Sequence, residues 1–113
     1  MRSAAPAVAA DFYEGKTINL IGGTDAGSGY DSYARLVARH IGKYMPGNPN
    51  LVVQNMPGAG SYVGASYIYN IAPKDGTALG IIARDAALGA LTGADGARFD
   101  PLRLSWIGTP TTE

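Results

Sequence analysis

Two glycine-rich stretches hold the residues best suited to gripping a charged group. The first, GGTDAGSGYD (Gly22 to Asp31), sets Gly22, Gly23, Gly27 and Gly29 between an apolar run and a segment with helical periodicity. The second, MPGAGS (Met56 to Ser61), stands at a junction of the same kind. Glycine lets backbone amides approach a bound group closely, and amides at a helix N-terminus favour an anion. Phosphate and carboxylate are the usual guests of such loops.

The phosphate readings fail on specific residues. Gly22 and Gly27 have the glycine spacing of a P-loop, but Ser28 stands where that motif needs its lysine. A dinucleotide fingerprint needs the order G-x-G-x-x-G and an acidic residue closing the next strand. GTDAGSG lacks that order, and the next strand ends in Gln54 and Asn55.

Nucleophilic catalysis has no constellation to work with. The single histidine, His40, falls inside a helical segment beside Arg39, and the elbow motif G-x-S-x-G is absent. His40 reads as a surface or packing residue. Asp25 and Asp31, six apart at a helix mouth, read as turn and cap residues rather than an acid-base pair. One histidine and scattered aspartates do not make a metal site, and there is no cysteine for a thiolate, a disulfide or a lipid anchor. The expectation is a protein with no catalytic residues, no metal and no cofactor.

Composition narrows the partners. The chain has 113 residues, 46% of them hydrophobic, with nine basic and nine acidic side chains and a formal net charge of zero. Without a basic excess or a basic run, the attraction that nucleic acid requires is missing. No apolar run approaches the roughly 18 residues of a membrane span, so direct membrane insertion is not expected. Residues 1–10 read as a remnant of a signal peptide or an added leader. AVAAD offers a small-x-small cleavage pattern after Ala10, while Pro6 breaks a short and weakly apolar stretch.

The elements that must position the two loops follow from periodicity. TINLIGG (Thr17 to Gly23) and LVVQN (Leu51 to Asn55) are strand-like runs, and ALGIIA (Ala78 to Ala83) is a third. YDSYARLVARHIGKYM predicts an amphipathic helix, with Tyr33, Val37, Ile41 and Tyr44 near one face and Arg35, Arg39 and Lys43 on another. PGNPN stops it. YVGASYIYNIA predicts a second helix on which Val63, Tyr67 and Ile71 recur, and a short helix is expected from about Asp85. PKDGT is a turn, and LSWIGTP (Leu104 to Pro110) reads as a fourth strand. The order β-α-β-α-β-α-β implies an α/β fold with a largely parallel sheet and flanking helices. Its strand-to-helix loops would face one another at the carboxyl ends of the strands, where ligands of such sheets bind.

Particular motifs in order carry a family resemblance: the segment from Asp25 to Ser61, which includes YDSYAR and NMPGAG, then APKDGT (Ala72 to Thr77), then ARFDPLRLSWIG (Ala97 to Gly108). The chain resembles the substrate-binding proteins of tripartite tricarboxylate transporters, the Bug proteins, from Phe12 to its end. The resemblance implies a type II periplasmic binding protein of two lobes, with residues 11–113 forming the N-terminal part of its first lobe. Members of that family run to roughly 300 residues, the size of two ordinary domains.

It further implies a periplasmic receptor that binds a small carboxylate-bearing molecule and delivers it to membrane transporter subunits. On this sequence the first ligand loop is Thr24 to Asp31, with Ala26, Gly27, Ser28 and Gly29 nearest the ligand and Asp31 matching the family aspartate. The second is Pro57, Gly58, Ala59, Gly60 and Ser61. Many relatives have two consecutive glycines where this chain has Gly27 and Ser28; serine keeps the amide and adds a hydroxyl. Asp25 opposes an anionic guest, so either its side chain points away or the ligand is less acidic than a tricarboxylate. Tyr30 is expected to pack under the helix. By itself the 113-residue chain is expected to bind ligand weakly or not at all. A rival reading is part of an α/β nucleotide-dependent enzyme with catalytic residues beyond Glu113.

Overall fold

The structure is a computed structural model, and it describes residues 12–110. The leader expected at residues 1–10 lies outside the described residues. Strands β1 (Thr17–Gly22), β2 (Asn50–Asn55) and β3 (Ala78–Ile81) form a parallel sheet in the order β2-β1-β3. Helices α1 (Gly29–His40), α2 (Tyr62–Asn70) and α3 (Ala86–Leu91) follow the three strands in turn. The fold is α/β.

Burial explains why β1 is central. Ile18, Leu20 and Ile21 are all fully buried, and because Leu20 and Ile21 point to opposite faces, both faces of this strand are covered. Each such side chain contributes about 1.5–3 kcal/mol on leaving water. The crossovers from β1 to β2 and from β2 to β3 run in opposite directions, so right-handed connections place α1 and α2 on opposite faces. Helix α2 comes close to Ile21 and Gly23 at Gly64, where a Cβ would stand a tight 3.1 Å from the Gly23 Cα. Strand β2 is covered on one face only, and Val52 on its other face is 46% exposed. A smaller apolar cluster joins Ala65, Ala86 and Phe99, flanked by Tyr62 and Leu104.

Three sequence expectations change. On α1 the buried stripe is Asp31 and Ala34, while Tyr33 is exposed, as is Tyr44 in the 3-10 turn Ile41–Tyr44 that follows. The large tyrosines gave the stronger signal, but a helix lying close to the sheet needs the small residues beneath it. On α2 the buried side is Gly64 and Ala65 for the same reason, with Val63 outward and Ile71, just past the helix end, exposed. Finally, Leu104 to Pro110 forms no strand. Leu104 is extended, but the segment joins no ladder among the described residues. The Trp106 Nε1 donates to the Pro101 carbonyl at 2.8 Å, which holds the segment back against the 3-10 turn Pro101–Arg103. β-propensity alone does not make a strand: the segment stays across a groove from β3 and leaves the outer edge of that strand unpaired among the described residues.

Candidate functional site

The loops after β1, β2 and β3 meet at the carboxyl ends of the strands. The first loop is built around Ser28 and Asp31. Ser28 is extended at φ −73° and caps α1, its hydroxyl accepting from the Asp31 amide at 3.2 Å. The left-handed turn falls on Gly27, at φ 89°, so serine in the next position costs the loop nothing. Asp31, 3% exposed, reaches back to accept the Gly27 amide at 2.9 Å, a relative of the capping box displaced by one residue. The Ser28 hydroxyl also lies 2.8 Å from the Thr24 hydroxyl.

The Asp31 carboxylate accepts from three donors. Besides Gly27 it takes Asn55 Nδ2 at 2.8 Å and Arg35 Nε at 2.9 Å. The Gly27 amide, the Asn55 carboxamide and the Arg35 guanidinium, in that order, hold its pKa down at about 2. It stays ionised at any ordinary pH, and its oxygens serve the loop rather than a guest.

The second loop is a run of four residues with positive φ: Gly58 at 133°, Ala59 at 50°, Gly60 at 62° and Ser61 at 79°. Such values suit glycine but cost alanine and serine about 1–2 kcal/mol each. Ser61 has a compensation. Its buried hydroxyl donates to the Gly23 carbonyl at 3.0 Å and accepts from the Ala83 amide at 2.9 Å, joining all three loops. The main chain adds Met56 N to the Gly22 carbonyl at 2.8 Å and Gly23 N to the Ile81 carbonyl at 2.9 Å.

The ten candidate residues therefore divide into two groups. Gly27, Ser28, Asp31 and Ser61 spend their polar groups inside the loops, and Pro57 has no amide proton. The amides of Ala26, Gly29, Gly58, Ala59 and Gly60 meet no acceptor among the described residues, and all five residues are exposed. Gly29 opens α1, and Gly58 to Gly60 lead into α2, so the partial positive ends of both helices lie behind them.

Three contributors were not singled out from sequence. Asn55 binds both loops, as its partners above show. The third loop is fastened to the first by the Tyr30 hydroxyl, which accepts the Arg84 amide at 3.1 Å. It is fastened to the second through Ala83. Tyr30 is half-buried at the start of α1 and its hydroxyl is used. Asp25 is exposed, its carbonyl accepting the Ser28 amide at 3.2 Å. His40 is exposed in the last turn of α1.

A groove of about 790 Å³ lies elsewhere, along the outer edge of β3, between Ile68 and Tyr69 of α2 and the stretch from Arg103 to Pro110. None of the ten loop residues lines it. No group of three His, Asp or Glu side chains suited to a metal ion occurs among the described residues. Nor is any helix among them long and apolar enough to cross a membrane. No protein-family model, curated protein or solved structure matches the chain.

Proposed function

We propose that the chain is part of a periplasmic solute receptor, related to the Bug proteins, that holds a carboxylate of a small molecule on backbone amides. The observation that carries this reading is the set of five exposed, unpartnered amides on two loops fastened to one another at the N-termini of α1 and α2. A carboxylate offers up to four lone pairs in a plane and one negative charge, which suits amides supplied from two loops and two partial helix charges. A phosphate group would want the lysine or arginine that these loops do not contain.

Magnitudes favour a receptor of two parts. A charge-assisted hydrogen bond contributes about 1.5–3 kcal/mol, whereas association costs at least about 4 kcal/mol. Two or three amides on one carboxylate therefore hold it weakly. A second lobe closing over the remainder of the molecule supplies the rest, and hinge closure then offers membrane transporter subunits a surface that reports occupancy. Nothing in this scheme calls for bond-making chemistry.

The test is a thermal-shift screen of the full-length protein against mono-, di- and tricarboxylates, amino acids and nucleotides. A carboxylate that raises the midpoint in a concentration-dependent way supports the reading. Stabilisation by a nucleotide and by no carboxylate overturns it in favour of the enzyme.

A further inference from the structure

Asn55 ends β2 in register with Gly22 of β1, and its carboxamide lies between the two loops. Nδ2 donates to the Thr24 carbonyl at 3.1 Å and to Asp31 Oδ1 at 2.8 Å, while Oδ1 accepts from Arg35 Nη2 at 2.9 Å. The partners fix which end of the amide is which, because a carbonyl and a carboxylate only accept and a guanidinium only donates. Gly22 makes room for it: a Cβ there would come 3.2 Å from Nδ2.

The reach of this side chain differs from that of the other ties. The Met56 amide and the Ser61 hydroxyl bind the first loop at Gly22 and Gly23, where the sheet ends. Among the described residues of the second loop and its strand, Asn55 alone passes beyond them, to Thr24 and to Asp31 in the first turn of α1. Through Asp31 it extends to the Gly27 amide, on the far side of the loop. Asn55 is also the residue from which the second loop departs. One side chain thus relates the root of the second loop to the body of the first.

We propose that Asn55 is the positioning residue that sets the separation of the two amide loops, so that Gly29 and the Gly58 to Gly60 amides converge on one carboxylate. This rests on the reading of the loops as a carboxylate clamp. Asn55 touches no ligand in this scheme; it acts through Thr24 and Asp31. Aspartate at this position would keep the size but lose both donated bonds and set a second carboxylate beside Asp31. Alanine would leave the Asp31 oxygen and the Thr24 carbonyl without that partner.

The experiment compares Asn55→Asp and Asn55→Ala with Leu51→Ala, a change in the same strand that weakens packing without touching either loop. Affinity of the full-length protein for succinate and for citrate is measured by calorimetry, beside the thermal midpoint and the exchange rate of the Gly27 amide. Both Asn55 variants are expected to bind about tenfold more weakly or worse, with Asn55→Asp the weaker, and to exchange the Gly27 amide about tenfold faster. Leu51→Ala is expected to lose midpoint while its affinity stays within about twofold. Asn55 variants that keep wild-type affinity, or lose it only in step with midpoint as Leu51→Ala does, overturn the proposal. A wild type that binds neither acid, nor any other carboxylate or amino acid of the screen above, defeats the clamp reading itself, and an unchanged Gly27 exchange rate in Asn55→Asp then overturns the role of Asn55 independently.

Discussion

The Ser61 hydroxyl of the second loop lies 3.0 Å from the Gly23 carbonyl of the first, and a Cβ added to Gly23 would stand 2.8 Å from that hydroxyl and 2.9 Å from the Ser61 Cβ. The contact is therefore both a hydrogen bond and a steric limit. Gly23→Ala is expected to cost about 1–3 kcal/mol through overpacking against a buried neighbour. Denaturant midpoints at constant slope measure it, and a neutral Gly23→Ala would show that the loops are not pressed together.

Ser61→Ala strands the Ala83 amide and the Gly23 carbonyl, at an expected cost of about 1–3 kcal/mol. Ser61→Gly loses the same bonds but relieves the left-handed backbone, so it should be less destabilised than Ser61→Ala by about 1 kcal/mol. The reverse order in chemical denaturation would contradict the backbone assignment at this residue.

Ala59 has the strain of Ser61, at φ 50°, without its hydrogen bonds. Ala59→Gly is expected to stabilise the chain by about 0.5–1 kcal/mol, the steric relief exceeding the entropy that glycine adds to the unfolded state. A lowered melting temperature in Ala59→Gly would place Ala59 outside the left-handed region.

Acid unfolding follows from the Asp31 carboxyl, held at about 2 against an ordinary 3.8. Between those values the unfolded chain binds the proton more readily than the folded one, so stability rises with pH across this window. The contribution is complete above about pH 4 and is lost as pH falls through about 2. Asp31→Asn should flatten this part of the profile. Some slope should persist, because hydrogen bonds from the Thr77 hydroxyl and amide also lower the Asp75 carboxyl. An unaltered pH profile in Asp31→Asn would mean that the network around Asp31 does not exist in solution.

Features encoded by neighbours in sequence were legible; those created by distant pairing were not. Three of the four strand runs, the PKDGT turn and the two glycine junctions are local patterns that take the expected form. The Asp75 side chain and Gly76 build that turn within three residues. Asn55 closes LVVQN and reads as an ordinary strand end. Its importance arises from Thr24 and Asp31, which are 31 and 24 residues away. LSWIGTP has the composition of a strand, yet strand formation depends on an edge and a register that composition does not contain. The tyrosine and valine faces of α1 and α2 misled for a related reason. How closely a helix approaches a sheet decides which side is buried, and here Gly64, Ala65 and Ala34 set that approach.

The clamp is tested most directly by following backbone amide resonances of the full-length protein while succinate or citrate is added. Gly29 and Gly58 to Gly60 are expected to shift together along one saturation curve, with Gly27 and Ser61 moving less because their polar groups are already engaged. Shifts confined to the β3 groove around Ile82 and Trp106, or shifts in one loop without the other, would contradict it.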